Sequence, residues 1–241
     1  MTRFVLVHGA WSDGAAWKAV AALLRSAGHQ VAAPDLPAHG DDSTPVPQAS
    51  LEGYAMATAK AAAALGGPVV LVGHSMAGTV ISTVAEQDPD LAGHLVYVAA
   101  FLLPSGQSLF GITQSSPGFA DSLLGPSLRP GEGILEVDRG QAREVFMGDA
   151  PDEVATAALA RLRPEPLGPL TTPVAVTPER WGRVRRSYVH TTADRAVPLA
   201  AQLEMVSGVG GVAATRRLAA SHMAMLSDPD GLAAALLDLT A

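Results

Sequence analysis

Five short β-rich runs, of which the first four alternate with helical stretches over the first hundred residues, constrain the fold of this chain most strongly. The runs are FVLV (4–7), QVAAP (30–34), PVVLVG (68–73), HLVYVAA (94–100) and RSYVHTT (186–192). Apolar runs of this length are typical of strands that are buried on both faces. The helical stretches are AAWKAVAALLRSAG, LEGYAMATAKAAAALGG and AGTVISTVAEQDP, each ending in Gly or Pro. This alternation predicts an α/β fold with a mostly parallel sheet that helices cover on both sides.

The alternation stops between residues 102 and 182, where Pro and Gly become frequent. Only two helices are predicted there, near 138–147 and 151–162. Long segments of this kind in compact domains are usually functional or disordered. We therefore predict that residues 1–241 form one domain, in which residues 102–182 are an insertion that caps the sheet. An irregular surface excursion is the alternative.

A serine stands where the third run meets the next helix, in VVLVGHSMAGTVIS (69–82). A sharp strand-to-helix turn exposes the residue at the turn, and small neighbours let the helix approach the strand. Gly73 and Gly78 are such neighbours of Ser75, although Ala77 stands where the G-x-S-x-G pattern has its second Gly. Ser75 is therefore predicted to be an exposed nucleophile. The simpler alternative is a serine that only caps a helix.

A serine hydroxyl is a poor nucleophile at neutral pH, so this hypothesis requires a base and an acid that orients the base. Asp194 directly follows the last β-rich run in YVHTTADRAVPLAAQ, where a loop at the carboxyl edge of the sheet would present it. His222, in LAASHMAMLSDP, precedes a predicted final helix, DPDGLAAALLDL. Nucleophile, acid and base then follow in the chain order that accompanies a G-x-S-x-G elbow.

The remaining histidines and one further aspartate fit these roles less well. His8 and His74 lie inside turns, His94 and His190 lie at or in predicted strands, and His29 and His39 precede the nucleophile. We interpret these histidines as structural or surface residues. Asp35 also precedes the nucleophile, and we interpret it as a brace for the loop that follows it.

Negative charge on a tetrahedral intermediate must be met by hydrogen-bond donors, and two backbone N–H groups are predicted to supply them. One belongs to Met76, which follows the nucleophile at a helix N-terminus. The other belongs to Ala10 in VLVHGAW, where Gly9 and Ala10 leave room for a substrate carbonyl beside the backbone.

With these motifs in place, the chain resembles the α/β-hydrolase superfamily. FVLVHGAW, GHSMAG, HTTADRAVP and SHMAMLSDP carry the resemblance over nearly the whole length. The nearest branch contains plant hydroxynitrile lyases, salicylate-type methylesterases and their bacterial relatives, and SHMAMLSDP is similar to its methylesterase side. The resemblance implies a serine carboxylesterase in which Ser75 is the nucleophile, His222 the general base and acid, and Asp194 the orienting carboxylate.

The same resemblance brings rival functions. Hydroxynitrile lyases of this branch have Lys after the base histidine and a hydroxyl residue early in the oxyanion loop, where this chain has Met223 and Gly9. Epoxide and haloalkane hydrolases would need Asp in place of Ser75. A biosynthetic thioesterase or cyclase, a lactone hydrolase, and a non-hydrolytic ligand-binding member stay open as alternatives.

Composition narrows the partners and the compartment. A net charge of −7 argues against nucleic acid and an anionic membrane surface, because either would need a basic patch. The chain has no Cys, so a disulfide framework and a thiolate site are excluded. The first residues enter a strand without a signal-like region, which predicts a cytoplasmic protein. No cofactor and no metal are predicted, and a homodimer is left open.

The cap would determine the substrate. The candidate pocket residues are apolar or aromatic: Trp11, Phe101, Phe119, Phe146 and Met223. The arginines of the cap stand mostly beside Pro, Gly, Asp or Glu, and we interpret them as solvated: Arg129, Arg139, Arg143, Arg161, Arg163 and Arg180. An apolar lining without a partner for an anion favours small neutral esters, aryl or short-chain alkyl, over charged esters and amides.

Overall fold

The computed structural model describes all residues from Met1 to Ala241. Its nine strands are β1 (Arg3–Val7), β2 (Gln30–Ala32), β3 (Val69–His74), β4 (Ala92–Val98), β5 (Leu128–Pro130), β6 (Ile134–Val137), β7 (Glu165–Pro166), β8 (Arg186–Thr191) and β9 (Val212–Leu218). Its helices are α1 (Lys18–Ser26), α2 (Leu51–Ala64), α3 (Ala77–Gln87), α4 (Leu109–Ser115), α5 (Leu124–Ser127), α6 (Arg139–Phe146), α7 (Asp152–Arg161), α8 (Leu167–Thr171), α9 (Leu199–Val209), α10 (Ala224–Ser227) and α11 (Pro229–Leu239). Four 3₁₀ turns lie at Gly14–Trp17, Val46–Gln48, Pro117–Phe119 and Trp181–Arg183.

Six strands form one central sheet in the order β2-β1-β3-β4-β8-β9. Every neighbouring pair is parallel. Every residue of β3 and β8 is buried, as expected for central strands with helices on both faces. The predicted α/β-hydrolase fold with its parallel sheet is confirmed, and the five β-rich runs form five of the six strands.

The sixth strand, β9, was not predicted from the sequence. It lies at the edge of the sheet, and all of its residues are exposed or only partly buried. An edge strand needs apolar residues on fewer of its positions, so VAATRRL has no continuous apolar run.

Helices pack on this sheet in pairs. Helix α2 packs against α3, and α1 packs against α11. Ser50 caps α2 by accepting a hydrogen bond from Gly53 N at 3.0 Å, and Asp228 caps α11 through Gly231 N at 2.9 Å. No helix is both long enough and apolar enough to cross a lipid bilayer.

Residues 102–182, which we call the cap segment, lie between β4 and β8 and form their own small sheet. Strands β5, β6 and β7 pair in antiparallel fashion, and Leu135 of β6 faces Glu165 of β7. The two helices expected here are α6 and α7, within a residue or two of the predicted bounds. The short strands and the helices α4, α5 and α8 were not predicted, because segments of two to seven residues carry too little periodicity.

Candidate active site

Ser75 occupies a sharp turn between β3 and α3, where it is buried rather than exposed as predicted, because the cavity that it lines is small. Its φ is +54°, a left-handed conformation that non-glycine residues rarely adopt. The turn is tied to the end of β4, because Ser75 N donates to Val98 O at 3.2 Å and Ser75 O accepts from Phe101 N at 3.0 Å. A Cβ on Gly78 would lie 2.4 Å from Phe101 O, so the closest backbone approach falls on Gly78. This explains why Ala is accommodated at position 77.

The imidazole of His222 lies against the carboxylate of Asp194. The distance between Nδ1 and Oδ2 is 2.8 Å, and both residues are almost fully buried. Oδ1 accepts hydrogen bonds from the backbone N–H groups of Ala196 and Val197, and Oδ2 accepts one from Thr191 Oγ1. A carboxylate with these donors is fixed in position, and it favours the His222 tautomer that carries its proton on Nδ1.

Ser75 and His222 line the same small cavity, whose volume is about 10 Å³. The other lining residues are Ala10, Trp11, Ser12, His74, Phe146, Leu162 and Met223. The ring of Phe146 lies 5.8 Å, between centroids, from both the indole of Trp11 and the imidazole of His222. The cavity is therefore small and mostly apolar around its serine and histidine.

The backbone N–H groups of Ala10 and Met76 donate to no other protein atom. Met76 is the N-cap residue of α3, where the helix dipole favours negative charge. Ala10 lines the cavity beside Ser75. Both groups are thus free to bind an oxygen that carries developing negative charge.

His74 contacts His222 from the turn that contains Ser75. Its Nε2 donates to the backbone carbonyl of His222 at 3.0 Å, and the two rings lie 4.5 Å apart. Burial, reinforced by the charge that His222 can carry, holds the pKa of His74 well below its ordinary value. His74 is therefore neutral at pH 7. Its position inside the turn, next to Ser75, was the only signal for this contact in the sequence.

The five predicted pocket residues lie in different places. Trp11, Phe146 and Met223 line the cavity that contains Ser75. Phe119 instead lines a larger apolar cavity of about 520 Å³ in the cap segment. Trp11 lines both this cavity and the cavity that contains Ser75. Phe101 lines neither of these cavities, and its ring stacks on Phe119 at 5.8 Å.

A surface groove of about 410 Å³ adjoins the serine cavity. The two share Ser12, Leu162 and Met223 as a common wall. At its rim Arg161 forms an ion pair with the nearly buried Asp13, with a distance of 2.7 Å. Leu162 was not predicted as a site residue, and its one sequence signal is its position at the end of the predicted helix 151–162.

The cap arginines are mostly exposed, as expected, and several are paired. Arg129 lies 2.9 Å from Asp138, and Arg143 lies 2.5 Å from Asp152. Such exposed pairs contribute little to stability. None of the cap arginines lines the cavity of Ser75.

Comparisons with known proteins agree with this geometry. The sequence model of a family described as "Alpha/beta hydrolase family" matches residues 4–235. A pyrethroid hydrolase of Sphingobium wenxiniae is 33% identical over 99% of this chain and 87% of that protein. Salicylic acid-binding protein 2 of Nicotiana tabacum is 31% identical over 98% of this chain and 96% of that protein. The crystal structure of a pyrethroid hydrolase from Sphingobium faniae superposes with a TM-score of 0.89 at 31% identity, over 99% of this chain and 96% of that one.

Proposed function

Because this chain belongs to the alpha/beta hydrolase family and is a carboxylesterase-type hydrolase that acts on small esters, we propose that Ser75, His222 and Asp194 form its catalytic triad. One observation carries the proposal. The 2.8 Å contact between His222 Nδ1 and Asp194 Oδ2 lies beside a serine that is held at a φ of +54° in the same cavity.

The reaction follows from this arrangement. His222 Nε2 takes the proton of Ser75 while Oγ attacks the ester carbonyl, and the N–H groups of Ala10 and Met76 bind the resulting oxyanion. His222 then donates the proton to the leaving alkoxide, and an acyl group remains on Ser75. Water, activated by the same histidine, releases the acid and regenerates the serine.

We propose that the preferred esters are neutral, with aryl or short-chain alkyl groups. The serine cavity is lined by Trp11, Phe146, Leu162 and Met223, and it holds no Lys or Arg that could compensate a substrate anion. Burial of apolar groups contributes about 0.8 kcal/mol per methylene, whereas an unpaired charge loses its hydration. The pyrethroid hydrolase and methylesterase names of the relatives support an ester of this apolar kind.

We also propose a setting for the reaction. The net charge of −7 supports a free small molecule as the partner rather than nucleic acid. The reaction would take place in the cytoplasm.

Covalent labelling tests the triad directly. A fluorophosphonate should modify the wild-type protein once, at Ser75, and the Ser75→Ala variant should be neither labelled nor active above the residual of about 10³ to 10⁴ over water. Ser12→Ala is the matched control, because Ser12 lines the same cavity without being placed as the nucleophile. Labelling of Ser75→Ala, or turnover within tenfold of the wild type, would refute the proposal.

A further inference from the structure

The cap segment holds Trp11, the residue after the proposed oxyanion donor Ala10, through three hydrogen bonds. Trp11 N donates to Glu165 Oε2 at 3.0 Å, and its indole donates to Leu135 O at 2.7 Å. Trp11 O accepts from Arg163 N at 3.0 Å. Leu135 and Glu165 face each other across β6 and β7. One end of the small sheet therefore forms hydrogen bonds with both the main chain and the side chain of Trp11.

Trp11 needs this support because its backbone is strained. Its φ is +61°, which is unusual for a bulky residue and persists only when the surroundings impose it. The Trp11 N–H is the only backbone donor bound by Glu165. Removal of this carboxylate would leave a buried N–H without a partner at a strained position, so the main chain there is expected to shift.

Glu165 is itself fixed by two residues that lie outside the cap segment. The fully buried carboxylate accepts hydrogen bonds from His39 Nε2 at 2.8 Å and from Tyr54 OH at 3.0 Å. His39 Nδ1 donates to Pro37 O, so both ring nitrogens face acceptors, an arrangement that favours the imidazolium. Burial lowers the pKa of His39, but the hydrogen bond and the charge of Glu165 outweigh it and raise that pKa. The negative charge of Glu165 is therefore compensated inside the protein.

The loop that contains Trp11 lies directly on the nucleophile elbow. A Cβ on Gly9 would come within 2.9 Å of both Ser75 Cβ and His74 Nδ1. A shift at Trp11 would thus be transmitted to Ala10 and change where its N–H points relative to Ser75. Hydrogen bonds to an oxyanion are sensitive to such displacements.

From these contacts we infer that Glu165 is a positioning residue for the oxyanion hole. Acting through Trp11, it fixes the N–H of Ala10 at the place where the oxyanion forms, and it makes that place depend on the cap segment. The inference rests on the proposed function, in which Ala10 is a donor to the oxyanion.

A pair of ketone inhibitors separates this role from a purely structural one. Ser75 Oγ adds to the carbonyl of a trifluoromethyl ketone, its proton passes to His222, and the carbonyl oxygen becomes an oxyanion; the matched methyl ketone binds mainly without this addition. We expect Glu165→Ala to weaken trifluoromethyl ketone inhibition by 10- to 100-fold and to lower kcat by a similar factor. KM and inhibition by the methyl ketone should change less than threefold.

Glu165→Gln should stay within threefold of the wild type, because its amide oxygen can still accept from Trp11 N. Glu165→Asp should show the selective loss, because its shorter side chain withdraws the acceptor. If Glu165→Ala does not fold, the inference is tested by whether Glu165→Asp loses more trifluoromethyl ketone inhibition than Glu165→Gln. The matched control is Glu86→Ala. Glu86 likewise accepts hydrogen bonds from cap residues, Thr177 and Trp181, but does so from α3, and its loss should leave the inhibitor ratio unchanged.

Equal losses for the two ketones in folded Glu165→Ala would overturn the inference. So would a selective loss in Glu86→Ala, or a larger loss in Glu165→Gln than in Glu165→Asp. A wild-type enzyme that binds the trifluoromethyl ketone no better than the methyl ketone would instead contradict the proposed function. The two failures are therefore distinguishable.

Discussion

Oδ2 of Asp194 lies 2.8 Å from Nδ1 of His222 and also accepts a hydrogen bond from Thr191 Oγ1 at 2.9 Å. The two contacts hold this carboxylate oxygen between the imidazole of His222 and the end of β8. The orientation of the imidazole therefore depends on Asp194, and no other carboxylate contacts His222.

We predict that Asp194→Asn lowers kcat by a factor of about 10⁴, because the amide favours the wrong tautomer of His222. Steady-state kinetics on a chromogenic ester would measure the loss. Asp121→Asn is the control, since Asp121 is exposed and is the first carboxylate after β4; its kcat should stay within twofold. A loss of less than tenfold in Asp194→Asn would contradict the assignment of the acid.

Neutral esters should be hydrolysed in preference to anionic ones. The relevant measurement is kcat/KM for a matched series in which a neutral acyl group is replaced by a carboxylate-bearing group of similar size. At least a tenfold preference for the neutral member is expected, because no Lys or Arg side chain lines the serine cavity. Preference for the anionic member by tenfold would contradict the apolar pocket.

Cyanohydrin cleavage should be negligible. Met223 follows His222 and lines the cavity, so no lysine ammonium stands there to stabilise cyanide. Cyanide release from mandelonitrile, assayed beside ester hydrolysis, should be at least 100-fold slower. Comparable rates of cyanide release and ester hydrolysis would show that Met223 at this position does not distinguish an esterase from a hydroxynitrile lyase.

Leu162→Ala should admit larger substrates. Leu162 belongs to the wall between the cavity of about 10 Å³ and the groove of about 410 Å³, so its truncation would join them. We expect kcat/KM for a bulky aryl ester to rise by three- to tenfold relative to that for a short acetate, equivalent to about 1 kcal/mol. Leu226 lines the groove but not the cavity. An equal change of selectivity in Leu226→Ala would show that this wall does not limit access.

Gly78→Ala should disrupt the elbow. The added Cβ would lie 2.4 Å from the backbone oxygen of Phe101, so α3 must move away from the end of β4. A destabilisation of about 1 to 3 kcal/mol is expected from overpacking, together with a drop in kcat of at least tenfold. Gly208, within α9, has nothing within 4 Å of such a Cβ, and Gly208→Ala should be slightly stabilising. Urea unfolding and ester kinetics on both variants would decide.

Stability should fall when the pH is lowered from 7 to 5. Burial lowers the pKa of His8, His94 and His190 to about 4, and it lowers that of His74 still further. Unfolded imidazoles titrate near 6.5, so the unfolded chain binds more protons in this window. His39, whose pKa is raised, acts in the opposite direction but alone.

A buried histidine of this kind contributes roughly 2 kcal/mol of the pH dependence between pH 7 and pH 5. His94 bonds to Ser187 Oγ away from the serine cavity, which makes His94→Gln a suitable probe. The midpoint of urea unfolding should depend less on pH in this variant than in the wild type. A wild-type midpoint that does not change between pH 7 and pH 5 would contradict this account.

The sequence was informative where a short motif coincides with a short piece of structure. Ser75 lies at the predicted strand-to-helix turn, and Asp194 and His222 lie in the predicted loops, because the position of each follows from its immediate neighbours. The contacts of Glu165 span 154 residues to Trp11, 126 to His39 and 111 to Tyr54. A lone Glu between two prolines gives no local sign of such partners.

The pocket was predictable only in part for the same reason. Trp11, Phe146 and Met223 reach the serine cavity from three separate parts of the chain, and Phe101 and Phe119 do not. All five are apolar or aromatic, and composition cannot distinguish a lining residue from one that fills the core. The arrangement of the cap segment makes that distinction, and its short strands have no periodic signature.

The hydrogen bonds between the small sheet and Trp11 limit how the cap segment of this enzyme can be exchanged with that of a relative. A chimera that receives residues 102–182 from a relative would lose Glu165 and the carbonyl of Leu135 at once, unless the donor segment brings equivalents. The recipient would then contain a buried His39 whose pKa is lowered by burial without the opposing charge of Glu165, and a tryptophan without its anchors. An exchange of the cap segment is thus expected to change substrate range and reactivity together. Residue 165 must be exchanged together with the loop that contains Trp11.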